Sequence, residues 1–106
     1  MTRILFALLV ALPWIGTSAL SDDIENGQKL ARQCSVCHGR AGGSNDPEVP
    51  IIAGQHAFYL EKSLKDYRSG ARQDRRMTLI AEPLTDEQIS DLAAWFASLD
   101  RAIDAN

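Results

Sequence analysis

Apolar side chains recur at helical spacing in three stretches of the chain. Ile24, Gly27, Leu30, Ala31 and Cys34 make the first stripe. Ala57, Leu60, Leu64, Tyr67 and Ala71 make the second, and Ile89, Leu92, Ala93, Phe96, Leu99 and Ile103 the third. The spacing predicts helices over about 22–34, over about 55–69, and from Thr85 onward. Asp22 or Asp23 is placed to cap the first, and Gly70 to stop the second. Thr85, with Gln88 three residues on, forms a capping box for the third. A glycine inside a helix costs about 1 kcal/mol against alanine, so Gly27 points to the close approach of another element. The intervening stretch 39–54 is rich in Gly, Pro, Asn and Asp and reads as a loop. A second loop covers 71–84, part of it a short helix ended by Pro83. No stretch alternates with period two long enough to make a strand, so the fold class is all-α.

The N-terminal stretch differs in kind. Arg3 precedes an apolar run, Ile4 to Ile15, and then come the small residues Gly16 to Ala19. The run is too short to span a bilayer, and Pro13 and Gly16 interrupt it. This is the pattern of a secretory signal peptide, residues 1–19, with cleavage after Ala19 or as late as Ser21. The alternative is a retained membrane anchor. The remainder, 20–106, is a single small domain without internal repeats. A domain of that size is short of apolar material for a self-sufficient core.

Both cysteines of the 106-residue chain lie in "CSVCH", residues 34–38. A Cys34–Cys37 disulfide would close a tiny loop and constrain the unfolded chain little. A thioredoxin-like redox pair needs a βαβ setting, and no strand is visible. A zinc site needs four ligands, and adjacent Cys37 and His38 would have to share one metal under strain. Covalent haem fits better. In C-x-x-C-H two thiols add to the vinyl groups of one haem c, while the histidine turns under the ring to bind iron. The macrocycle also answers the size problem, because a large apolar ring serves as core. On this reading Cys34 and Cys37 carry one haem per chain and His38 is an axial ligand. Attachment takes place outside the cytoplasm, which the leader supplies. Met77 is the one methionine left after leader removal. Its polar surroundings, "RQDRRMT", argue against a core-filling role and favour it as the second axial ligand. His56, off the apolar stripe at the start of the second helix, is the competitor, and an open site is the third possibility.

These segments together resemble the class I c-type cytochromes, most closely the short bacterial periplasmic ones. The resemblance rests on Gly27 and Leu30 before "CSVCHG", "PIIAGQ" at 50–55, "YLEKSLKDYRSGAR" at 59–72, Met77, and the helix bearing "LAAWFASL". Similar segments occur in two-haem periplasmic cytochromes built from two such domains, and one C-x-x-C-H matches one half. The resemblance implies a small cytochrome c fold, with three main helices and short helical turns around the haem. It places Gly27 and Leu30 against Leu92, Trp95 and Phe96 at a crossing of the first and last helices. It also assigns Pro50 the proline whose carbonyl accepts the Nδ1–H of the ligand histidine. Many relatives carry a proline just before the methionine. Arg76 stands there in this chain.

A His/Met iron has no open position for substrate, and the thioether raises the potential. The expected function is one-electron transfer between periplasmic redox proteins, with no enzymatic activity, no nucleic-acid partner and no membrane span once the leader is removed. The alternatives are a haem subunit of a larger periplasmic dehydrogenase and a gas-binding sensor. Charge bears on docking. The formal net charge of −3 hides an asymmetry. Residues 62–76 hold six bases (Lys62, Lys65, Arg68, Arg72, Arg75, Arg76) against Asp66 and Asp74. From Glu82 onward six acids face Arg101 alone. Lys65, Arg68 and Arg72 share a face if the helix reaches that far. The basic stretch is either a solvated face or a docking patch for an acidic partner.

Overall fold

The computed structural model describes Ala11 and residues 18–101, with the side chains of Ala11 and residues 23–101. The leader expected over 1–19 lies outside the described residues, apart from Ala11, Ser18 and Ala19. Ile103 lies outside them too. Among the described residues five α-helices occur in order: α1 (Ser18–Leu30), α2 (Arg32–His38), α3 (Ala57–Ser69), α4 (Met77–Ala81) and α5 (Asp86–Ser98). A 3₁₀ turn at Arg40–Gly42 comes after α2. The described residues contain no strand.

The expected first helix is two. α1 starts at Ser18, so Asp22 and Asp23 lie inside it and do not cap it. The helix does not end at Cys34 but bends at Ala31 and runs on to His38. Ser35 Oγ donates back to the Ala31 carbonyl at 3.0 Å, a bond that tends to bend helices. The result puts Cys34, Cys37 and His38 on one short rigid segment.

α3 begins at Ala57, two residues later than the pattern suggests, because His56 is in extended backbone. It ends as expected, with Gly70 in the left-handed region at φ 85°. Arg72 therefore lies beyond the helix and shares no helix face with Lys65 and Arg68. It stacks instead over the Tyr67 ring, 4.7 Å from its centroid. α4 is the short helix expected before Pro83. α5 carries the capping box: Gln88 N–H donates to Thr85 Oγ1 at 3.1 Å and Thr85 N–H to Gln88 Oε1 at 3.0 Å. Continuation past Ser98 would need the Phe96 carbonyl for residue 100. Gly54 N–H takes that carbonyl at 2.8 Å, and Leu99 turns extended.

α1 packs against α5, which also receives α3, and α4 packs on α3. The α1–α5 approach is close enough that a Cβ built on Gly27 would lie 2.0 Å from the Asp91 carbonyl oxygen and 2.8 Å from Trp95 Cβ. This is the crossing expected at Gly27. The core holds Ala31, Leu60, Leu84, Ile89, Leu92, Ala93 and Phe96, with Leu30, Cys34, Ile52, Leu64, Trp95 and Leu99 packed at its margin. Of these core residues, the large side chains fully buried are Ile89 and Leu92. So thin a core cannot offset much chain entropy by itself.

Candidate functional site

His38 ends α2 with its ring buried. Its Nδ1 lies 2.8 Å from the Pro50 carbonyl oxygen. A carbonyl can only accept, so Nδ1 carries a proton, and in the neutral ring Nε2 is the nitrogen left with a lone pair. The hydrogen bond expected of Pro50 is therefore present, and it fixes both ring orientation and tautomer.

Local geometry holds Pro50 there. The 3₁₀ turn after His38 brings Gly42 against residues 52 and 53. Ile52 N–H donates to the Gly42 carbonyl at 2.9 Å and Ala53 N–H at 3.3 Å. Gly42 has φ 72°, and an added Cβ would meet Ile52 Cγ1 at 2.9 Å and Phe96 Cδ1 at 3.1 Å. Before Pro50, Asp46 organises a turn: its Oδ1 accepts from Glu48 N–H at 2.9 Å and its carbonyl from Val49 N–H at 3.1 Å. The buried Ser44 hydroxyl accepts from Asp46 N–H at 3.1 Å. Gly54 then ties the loop to α5. Nothing in the residue spacing alone discloses Gly42 or Asp46 as supports of the histidine. The clue available is the turn chemistry of "GRAGGSND".

Cys34 is half-buried against the core and Cys37 is exposed, and neither forms a disulfide. Burial pushes the Cys34 thiol above its ordinary value, against a smaller opposing effect of its backbone hydrogen bond. It is thus held as the neutral thiol. Among the described residues no three His, Cys, Asp or Glu side chains gather as a metal-ion site.

Met77 opens α4, half-buried. A clasp holds its backbone. Asp74 Oδ1 accepts from both Met77 N–H and Arg76 N–H, each at 2.8 Å. Thr78 closes the turn from the other side, its Oγ1 accepting from Asp74 N–H at 3.0 Å and its N–H donating to the Asp74 carbonyl at 3.1 Å. The Met77 and Arg76 amides hold the Asp74 carboxyl below its usual value. Helical periodicity does not disclose this clasp, although Asp with Thr four residues on, at a helix start, is a capping signal. His56 is exposed at the start of α3 and donates its N–H to Gln55 Oε1 at 2.8 Å.

Whether these residues suit a haem can be tested on the surface they leave. The large apolar side chains exposed in the described chain are Val36, Ile51, Phe58, Tyr59, Leu79 and Ile80. They come from α2, the Pro50 loop, the start of α3 and α4, which are the elements that carry or flank the candidate ligands. Apolar side chains on those elements are compatible with a large apolar ring. The donor set agrees with that ring: two thiols, an imidazole with a free Nε2, and a thioether.

The basic stretch is less free than the charge count implies. Lys62 pairs with Asp66 and Lys65 with Glu61. Arg68 donates to the Leu84 carbonyl at 3.0 Å and pairs with Asp86. Arg75 and Arg76 form no ion pair among the described residues.

Comparison with known proteins agrees with the site. Cytochrome c4 of Pseudomonas aeruginosa is 38% identical over 92% of this chain and 49% of its own length. Cytochrome c-554(548) of Halomonas halodenitrificans is 40% identical over 72% of this chain and 95% of its own length. The crystal structure of reduced recombinant cytochrome c4 from Pseudomonas stutzeri superposes with a TM-score of 0.70 at 31% identity, covering 76% of this chain and 50% of that one. The chain spans about half the length of the cytochrome c4 relatives it matches. The family model for cytochrome c matches residues 24–100. With the all-α fold and the C-x-x-C-H segment seated beside Pro50, the chain belongs to the cytochrome c family, whose cofactor is covalently bound haem c.

Proposed function

We propose that this chain is a periplasmic one-electron carrier with one haem c, attached through Cys34 and Cys37 and ligated by His38 and Met77. The observation that carries this reading is the 2.8 Å contact from the buried His38 Nδ1 to the Pro50 carbonyl. It leaves a single nitrogen, Nε2, as donor, held at a fixed orientation one residue beyond the second cysteine. When bound, the haem supplies an iron that gains and loses one electron. The protein's part is positional. α2 presents both thiols and the imidazole from one segment, the Pro50 hydrogen bond fixes the orientation of the imidazole, and the Asp74 turn holds the Met77 backbone. Fixed ligands keep rearrangement small between the two oxidation states. If His38 and Met77 both hold the iron, no position would be left on it for substrate, and the chain is read as a carrier and not an enzyme.

Residues 1–19 are proposed as the leader and 20–106 as the haem domain. The family match starting at residue 24 supports that division. Among the described residues no helix is long and apolar enough to cross a membrane. The partners proposed are redox proteins.

The test uses the protein matured with haem. Acid–acetone extraction is expected to leave colour with the protein, and reduced-minus-oxidised spectra to show His/Met ligation. Met77→Ala is expected to open the reduced protein to carbon monoxide and lower the potential. Freely extracted haem ends the covalent reading. An unchanged spectrum in Met77→Ala transfers the ligand role to His56 or another group. A stoichiometric flavin- or molybdenum-containing protein that copurifies would make the chain a dehydrogenase subunit.

A further inference from the structure

The clasp around Met77 calls for an explanation that the family resemblance does not supply. Arg76, just before Met77, has φ −100°, outside the range of about −65 ± 15° that a proline ring would permit. Arg76 also has an N–H, and that N–H is in use: it donates to Asp74 Oδ1. The same oxygen accepts the Met77 N–H. The Asp74 N–H goes in turn to Thr78 Oγ1, and the Thr78 N–H to the Asp74 carbonyl. Four hydrogen bonds thus close the five-residue turn 74–78 on itself, and two of them converge on one carboxylate oxygen. α4 is five residues long, too short to hold its own first turn by cooperativity.

We infer that Asp74 is a positioning residue for Met77: the Asp74–Thr78 clasp fixes the backbone at Met77, and it sets how readily the thioether leaves the iron. The inference rests on the reading of Met77 as axial ligand. Asp74 does not touch the iron. It acts by fixing the backbone from which the Met77 side chain extends.

The physical argument is one of populations. An outside ligand reaches the iron when Met77 is off it, so its apparent affinity scales with the open fraction. Loss of a side-chain cap shifts a local helix equilibrium by about fivefold, the effect expected at a helix start. That factor passes directly to the open fraction if the clasp holds the ligand.

The experiment titrates oxidised, haem-loaded protein with imidazole and tracks the haem spectrum. Asp74→Ala is expected to bind imidazole about fivefold more tightly than the parent and to show a lower reduction potential. Asp74→Asn keeps an acceptor oxygen and is expected to stay near the parent on both measures. Thr78→Val loses one bond and is expected to shift the same way by a smaller factor, while Thr78→Ser stays near the parent. If Asp74→Ala fails to mature, the Thr78 pair decides. Unchanged imidazole affinity in Asp74→Ala, or in Thr78→Val where that pair decides, overturns the inference. So does an equal shift in Asp74→Ala and Asp74→Asn, which would make charge and not the clasp responsible. Lower global stability without a change in imidazole affinity also overturns it. Met77→Ala is the control for the ligand reading. If it binds imidazole no better than the parent, Met77 is not the ligand; if it binds far better while Asp74→Ala does not, the clasp alone is refuted.

Discussion

Replacing Gly27 by alanine tests how α1 and α5 are held together. A Cβ there would stand 2.0 Å from the Asp91 carbonyl oxygen, 2.7 Å from its carbon and 2.8 Å from Trp95 Cβ. Ordinary van der Waals contact begins at 3.4 Å, so the nearest pair must separate by about 1.4 Å. The obstacle is helix backbone, which cannot swing aside as a side-chain tip can. α5 must therefore move, and α5 also packs on α3 and accepts the Gly54 N–H through Phe96. Overpacking of a close-packed interior costs about 1–3 kcal/mol, and a backbone obstacle places this case at the upper end. The better helix propensity of alanine returns about 1 kcal/mol. The net loss is about 2 kcal/mol, or roughly 8–16 °C in melting temperature for a domain of this size. Chemical and thermal unfolding of the haem-loaded protein, monitored by far-ultraviolet circular dichroism, measures it. A Gly27→Ala variant as stable as the parent would refute the crossing, because propensity alone predicts a gain.

Two further outcomes concern the charges. Asp91 is buried on α5, and desolvation, with the nearby Asp23 and Glu87 charges, raises its carboxyl above the ordinary value of 3.8. The folded state then binds a proton more readily than the unfolded one, so Asp91 lowers stability as pH rises from that value through the raised one. Asp91→Asn is expected to raise the melting temperature at neutral pH and to lose that advantage below about pH 4, the ordinary carboxylate range; a neutral-pH loss would show that the carboxylate makes a favourable contact. Arg75 and Arg76, beside Met77 and without an ion pair among the described residues, are proposed to steer an acidic redox partner, so the electron-transfer rate with that partner should fall as salt shortens the screening length to about 10 Å at 0.1 M. Arg75→Glu/Arg76→Glu should lower it further, and a rate flat with salt would place docking elsewhere.

What could be read from the sequence divides along physical lines. Periodicity found α3 and α5 because each buries one face on the core. The capping box at Thr85 and the stop at Gly70 are local, with every partner within four residues. Gly27 was legible as an anomaly: a residue that weakens its own helix needs a reason outside it. The bend at Ala31 was not legible, since a bent helix keeps nearly the same stripe, and the extension to His38 depends on that bend. The pairing of Lys62, Lys65 and Arg68 was half legible, because i,i+4 partners can be counted but the contact of Arg68 with Leu84 and Asp86 depends on tertiary packing. The Asp74 clasp was legible in principle.

The two candidate axial ligands are fixed by different devices on one frame. His38 is held by a carbonyl twelve residues ahead, and the loop that offers it is hung on α5 by Gly54 N–H to the Phe96 carbonyl. Met77 is held by its own five-residue turn, and that turn is hung on α5 through α3 and Arg68, which spans the Leu84 carbonyl and Asp86 at the start of α5. α5 is thus the common reference for both arms. A change within one arm, such as Asp74→Ala, should alter ligand exchange with little effect on the other arm, because no hydrogen bond joins the turn to the Pro50 loop among the described residues. A change at the frame, such as Gly27→Ala, moves α5 and with it the spacing between both ligands. Such a variant should lose stability and ligation together. The relation between those two losses, measured across the two kinds of variant, separates local positioning of the thioether from the general integrity of the fold.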